Sequence, residues 1–256
     1  MLTILTPSKT MDFVTQAPAF AGSTVPLFSE RANILRGTLS ELSVKQIASL
    51  MQVSQLLAEK THEMVSDSTT KQAFWAYDGD VFKGVQAKTM TVDDAEFAQD
   101  HVLVPSGLYG LVRPYDMISP YRLEMKAKLS VGKASNLYEF WSDALGKYVE
   151  AHANREVLML SSYEYARTII PYVSKTTRIV TPAFIDKKPT GKEEQVAIYN
   201  KMMRGVMGRW VIDNKIDSLD DIATFSAHGY RYNPERSQDD KPVFYRPVMT
   251  PLKFDN

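Results

Sequence analysis

The chain has 256 residues, no cysteine, and 30 basic against 30 acidic side chains, so its formal net charge is zero. The missing cysteines exclude disulfide scaffolds, thiol catalysis, thiol redox sensing and thiolate metal sites. The balanced charge means that any polyanion site has to be a local patch.

The length lies near the upper end for one hydrophobic core, and 44% hydrophobic with 23% charged residues is ordinary for a globular protein. No apolar run approaches the ~20 residues of a membrane-spanning helix. The opening MLTILTPSKT is too short for a secretory core and lacks a basic leader. A cytoplasmic protein without membrane contact is expected. His62, His101, His152 and His228 include no pair at metal-ligand spacing, so neither a metal nor a cofactor is expected.

In chain order, MLTILTP reads as a buried strand, followed by a Pro/Gly/Ser-rich stretch to residue 27. Residues 29–66 read as helical, with a capping box opening at Ser43. AFWAYDGDVFKG (73–84) reads as a strand, a turn at Asp78-Gly79-Asp80 and a return, and Thr91 caps a helix to about His101. In YRLEMKAKLSV (121–131), Tyr121, Leu123, Met125, Ala127, Leu129 and Val131 alternate with Arg122, Glu124, Lys126, Lys128 and Ser130. That period of two predicts a half-buried strand with three cations on its solvent face. Residues 136–153 and 193–214 read as helices, 156–162 and 178–186 as buried strands, and VFYRPV as a weak strand in an aromatic, turn-rich tail. Strands and helices interleave without a linker or repeat. The expectation is an α/β (α+β) fold, a single compact domain over 1–256 with a mixed β-sheet flanked by helices.

Common catalytic signatures are missing. Gly191-Lys192 lacks the upstream glycine of a phosphate loop, no G-x-G-x-x-G follows a strand, and no G-x-S-x-G elbow is present. Ser161-Ser162 beside Glu164 has no histidine tied to it. Lys9-Thr10, just after the first strand, offers different chemistry. A desolvated lysine can form a Schiff base while a neighbouring carboxylate moves protons, with Asp78, Asp80 or Glu124 as candidates for that carboxylate. The opposing reading pairs Lys9 with an aspartate that stitches the fold.

Pro105-Ser106-Gly107-Leu108-Tyr109-Gly110 stands between the helix ending near His101 and a short helical turn that tolerates Pro114. This spells helix, glycine hairpin, helix. Outward amides would form a phosphate site there, completed by Arg113 and Arg122. A plain tight turn is the alternative. In the helix at 193–214, Tyr199, Met203, Val206, Met207 and Trp210 fall on one side at about 100° per residue, and Lys201, Arg204 and Arg209 toward the other with Gly205 and Gly208. Glycines there imply close approach of a phosphate or backbone, or tight helix packing.

TPSKTMDF (6–13), YDGDVFKG (77–84), SGLYGLVRPYDMISPYRLEM (106–125), LYEFWSD (137–143), SSYEY (161–165), KMMRGVMGR (201–209) and GYRY (229–232) together resemble the YaaA family of bacterial peroxide-stress proteins over nearly the whole length. Ser8 stands where the family usually has alanine. The resemblance implies a DNA-binding protein of hydrogen peroxide defence that limits free intracellular iron and oxidative DNA damage, with a basic cleft and a helix–hairpin–helix element. Gly107 and Gly110 are separated by two residues, where the common hairpin spelling has one. The expected contacts to double-stranded DNA, made without sequence preference, are Gly107, Tyr109, Gly110, Arg113, Arg122, Lys126, Lys201, Arg204 and Arg209, the last three facing the same cleft as Arg122 and Lys126. The alternative is an enzyme on nucleic acid or a nucleoside, glycosylase- or lyase-like, with Lys9, Thr10, Asp80 and Glu124 as catalytic candidates. A binder of another anionic ligand is the third reading.

Overall fold

The computed structural model describes residues 1–252, so the last four of the expected 1–256 unit lie outside the described residues. The chain opens with β1 (Leu2–Leu5), whose four side chains are all buried. After a long excursion it forms α1 (Ser29–Ser40), α2 (Val44–Met51) and α3 (Gln55–Ser66). The Ser43 capping box is present: Ser43 Oγ accepts from Gln46 N, and Gln46 Oε1 accepts from Ser43 N. Then come β2 (Lys71–Gln72), α4 (Ala73–Ala76), α5 (Asp80–Val85) and α6 (Val92–His101), the last opened by a Thr91–Asp94 capping box. β3 (Val102–Ser106), β4 (Gly110–Val112) and β5 (Met117–Ile118) precede α7 (Leu137–Trp141) and α8 (Ala144–His152). β6 (Glu156–Leu160), α9 (Tyr163–Ala166), β7 (Arg178–Val180), β8 (Ala183–Lys187) and β9 (Glu193–Glu194) follow. α10 (Ala197–Asp213), β10 (Ser226–Ala227), β11 (Tyr230–Tyr232) and β12 (Val243–Arg246) complete the order.

The fold class is the expected mixed α/β, but the strands form two five-stranded sheets and a small third one. The first sheet runs β4-β3-β1-β6-β7, with β1 parallel to β3 and β6, β6 parallel to β7, and β4 antiparallel at the edge. Its central strands β1, β3 and β6 are buried almost throughout, as in parallel sheets generally. The second sheet runs β10-β11-β12-β8-β9. The expected strand at 178–186 therefore divides between the two: Thr181-Pro182 separates β7 in the first sheet from β8 in the second. α10 touches β1 and β6 of the first sheet and β8 of the second, and packs along α5. Inside the second sheet, Arg246 and Asp186 form a fully buried ion pair, and Tyr230 donates to the same carboxylate at 2.8 Å.

Further expected elements differ: the helix expected at 193–214 begins at Ala197, because Glu193-Glu194 pair with β8 as β9. Residues 73–84 are helical, as α4 and α5. Phe74, Trp75, Val81 and Phe82 are buried on all sides, and a continuously buried run has no period to distinguish helix from strand. The helix at 136–153 breaks at Ser142, which lies at φ 46°. Segment 121–131 has the predicted alternation of burial without a sheet partner, and it turns at 124–127 where Ala127 N donates to Glu124 O at 3.0 Å. The glycine hairpin joins β3 to β4, two antiparallel strands, where helix–hairpin–helix was expected. No helix follows it: Arg113 closes a turn onto Asp116.

Candidate functional site

β1 ends at Leu5 and delivers the loop 6–13 to the carboxyl edge of the first sheet. Asp78 N donates to Thr10 O at 2.9 Å and Asp12 N to Ala76 O at 2.7 Å, which straps the loop to the 77–80 turn. Asp12 secures it from below. Its Oδ1 accepts from Val14 N and Thr15 N at 2.9 Å, and the buried Lys71 donates to its carbonyl at 2.7 Å. The Thr15 hydrogen bond leads the causes that pull Asp12 down to about 2.

Lys9 projects from this loop into a cleft of about 740 Å³. Leu42, Gln46 and Leu50 of the α1–α2 region form one wall and residues 122–130 the other. At its floor Glu124 is nearly buried and takes Lys9 Nζ at 2.9 Å and Arg122 Nη2 at 3.0 Å. Burial pushes the Glu124 carboxyl up, but the Lys9 hydrogen bond and the Arg122 charge outweigh it and hold it below the usual glutamate value. The Arg122 Nε is sealed from solvent without a partner. Lys126 and Lys128 are exposed on the same wall and form no ion pair among the described residues. The alternation of 121–131 explains the arrangement, since odd-numbered side chains pack inward and alternate cations turn to the cleft.

Behind the floor runs a buried hydroxyl chain. Ser106 Oγ donates to Tyr121 Oη at 2.8 Å, and Tyr121 and Tyr77 share a hydrogen bond of 2.7 Å. Burial pushes the Tyr121 phenol up to about 12 and raises that of Tyr77 as well. Both rings therefore stay neutral at physiological pH. Their spacing in sequence gives no hint of this contact, because it is made between loops 44 residues apart.

The expected site residues separate into two groups. Lys9, Arg122, Glu124 and Lys126 line the cleft together with Lys128. Thr10 and Asp80 do not; Thr10 is exposed on the strap, and Asp80 opens α5 with Lys201 4.0 Å away. The hairpin residues are buried and none lines the cleft. The Leu108 and Tyr109 amides point inward to Ser106 Oγ at 3.2 and 3.0 Å. Gly107 admits no side chain because the Leu123 carbonyl fills the space, and Trp141 donates to its oxygen at 3.0 Å. Gly110 sits at φ +73° under the Trp141 ring. Tyr109 Oη serves Arg36 and Ser119. Arg113 is bound to the buried Asp116 and to Val25 O.

On α10 the expected cationic face is corrected as well. Gly205 packs against the Val81 carbonyl of α5 and Gly208 against Leu5 and Leu160, so tight packing is the reason for both glycines. Arg209 donates to Val85 O, Gln86 O and Thr89 Oγ1 at 3.3, 3.0 and 2.7 Å and pairs with Asp213. It ties α10 to the end of α5. Neither Lys201, Arg204 nor Arg209 lines the cleft.

Sequence comparison adds to this geometry. A family model described as "Peroxide stress protein YaaA" matches residues 1–236. A UPF0246 protein of Ralstonia nicotianae is 39% identical over 96% of this chain and 99% of its own length. UPF0246 proteins of Burkholderia mallei and Burkholderia pseudomallei are each 36% identical over 96% of this chain and 98% of theirs. With the match running from β1 through the cleft to the end of α10 and beyond, the chain belongs to the peroxide stress protein YaaA family.

Proposed function

We propose that the cleft receives the sugar–phosphate backbone of duplex DNA, and that the protein serves peroxide defence in the cytoplasm by limiting iron-driven damage to that DNA. One observation carries this reading: on a chain of zero net charge, Lys9, Arg122, Lys126 and Lys128 share one cleft in which Glu124, the one carboxylate lining it among the described residues, is already occupied by Lys9 and Arg122. Lys126 and Lys128 are thereby left for an external anion. A mobile lysine contacts phosphate as a point charge and reads no base edge, so binding without sequence preference follows. Lys126→Glu and Lys128→Glu should each weaken affinity for any short duplex roughly tenfold at low salt, measured by fluorescence anisotropy. Affinity unchanged in both variants contradicts the reading.

A second reading is favoured by the Lys9–Glu124 contact of 2.9 Å inside the same cleft. An amine beside a carboxylate is the pair that a Schiff-base lyase uses, the carboxylate accepting the proton that imine formation releases. Borohydride reduction in the presence of abasic-site DNA would leave the strand covalently attached to Lys9. Absence of a cross-link in the wild type, or its persistence in Lys9→Ala, contradicts a lyase.

A further inference from the structure

The core-facing arc of α10 contains an arginine. Met203, Gly205, Met207, Gly208, Val211 and Ile212 are buried, and at about 100° per residue Arg204 falls between Gly208 and Val211, in the middle of that arc. α10 runs antiparallel to β1. A Cβ on Gly208 would lie 2.7 Å from Leu5 Cδ2 and 3.7 Å from Leu160 Cδ1, at the carboxyl ends of β1 and β6. Beyond the last turn of α10, Asp217 meets the amino group of Met1 at the opposite end of β1. Arg204, one turn and about 6 Å before Gly208, therefore overhangs the ends of the two strands.

Arg204 has no partner there. Its Nε is sealed from solvent and makes no hydrogen bond. Burial lowers its pKa, and no neighbouring charge acts on it. The other two cations of this stretch have carboxylates, Asp80 for Lys201 and Asp213 for Arg209. The residue that follows β6 is Ser161, 2% exposed, and its hydroxyl is also without a partner. Thr6, which follows β1, uses its own hydroxyl on Leu160 O at 3.1 Å. These strand ends are where the chain order reverses, since β3 lies on one side of β1 while β6 and β7 lie on the other. Open parallel sheets bind ligands in the crevice at such a point.

A guanidinium without a carboxylate and a hydroxyl without an acceptor are both costly when buried. Both are donors, and an oxyanion satisfies both. We propose that the carboxyl ends of β1 and β6 bind a phosphate group through Arg204 and Ser161, supplied either as inorganic phosphate or as a phosphomonoester such as a nucleoside 5′-phosphate. Neither residue lines the basic cleft, so this site is separate from the surface assigned to DNA.

Thermal unfolding of the full chain, with phosphate replacing chloride at constant ionic strength, tests the assignment. Inorganic phosphate should raise Tm saturably, and Arg204→Met should abolish the rise. Ser161→Ala should weaken apparent affinity about tenfold, the effect of one hydrogen bond to a charged group. Arg204→Met should melt no lower than wild type without phosphate, because it removes a partly buried charge that has no carboxylate. If Arg204→Met does not fold, titration calorimetry of Ser161→Ala against wild type makes the same comparison. A nucleoside 5′-monophosphate binding more tightly than phosphate identifies a phosphomonoester as the ligand, and equal binding identifies free phosphate. No saturable response in wild type, a response retained by Arg204→Met, or an apparent affinity unchanged in Ser161→Ala, overturns the site. So does loss of the response in Lys126→Glu, which would place the anion in the cleft.

Discussion

Asp12 holds the loop that presents Lys9, and it does so as an anion. Folded, it titrates near 2, against 3.8 for an unperturbed aspartate. A carboxyl whose folded pKa is depressed stabilises the protein fully above the unfolded value, and that contribution is lost as pH falls through the folded one. The urea midpoint of wild type should therefore fall between pH 4 and pH 2, the window set by those two values. Asp12→Asn, which preserves the Val14 and Thr15 hydrogen bonds but leaves buried Lys71 without its counter-charge, should lower the midpoint at pH 7 and fall less over that window. An acid limb as steep in the variant as in wild type would show that Asp12 does not carry it. At this scale the sequence was informative wherever chemistry is local. Lys9 and Glu124 were legible as a cationic loop and a carboxylate on an alternating segment, but their contact was not, because chain reversal brings together residues 115 apart by number (9 and 124). Asp12 emerged as the fold-stitching aspartate that had been one reading for Lys9's partner, with Lys71 in the lysine's place.

At the scale of elements, periodicity succeeded where one face is wet and failed where none is. The capping boxes at Ser43 and Thr91, and the strands β1 and β6, stand where pattern put them. The run 73–84 did not, since burial on every side erases the signal. Glycine was the other source of error. Gly107 and Gly110 looked like a phosphate hairpin and Gly205 and Gly208 like the floor of a cationic groove. All four instead admit a neighbouring backbone or side chain that a Cβ would displace. A sequence records that a Cβ is missing and not which neighbour takes its place. Arg209 follows the same logic, because its guanidinium supplies four hydrogen bonds to the end of α5 and the residues after it. Arg209→Ala should cost about 1–3 kcal/mol of stability, read from urea denaturation, while duplex affinity per folded molecule stays that of wild type. An unchanged stability with weakened binding would return Arg209 to the nucleic-acid surface.

Across the whole molecule, the fold class was legible from interleaved strands and helices, whereas the division into two sheets was not. That division happens within nine residues, where Thr181-Pro182 turns one apolar run into strands of separate sheets. α10 then joins the sheets, and the loops that leave the carboxyl edge of the first sheet carry Lys9 to the cleft. The basic cleft expected from the family resemblance has a counterpart, built from the 121–131 segment and the β1 loop with no contribution from the hairpin or α10. If that cleft grips phosphates, binding must release counterions. Duplex affinity measured from low to physiological salt should give a straight line of log affinity against log salt, with a slope of about −0.9 for each phosphate neutralised and thus near −2 for Lys126 and Lys128, the two cleft cations that Glu124 leaves free. It should become shallower in Lys126→Glu. A slope near zero, or one that Lys126→Glu leaves unchanged, would contradict the assignment of the cleft to the DNA backbone.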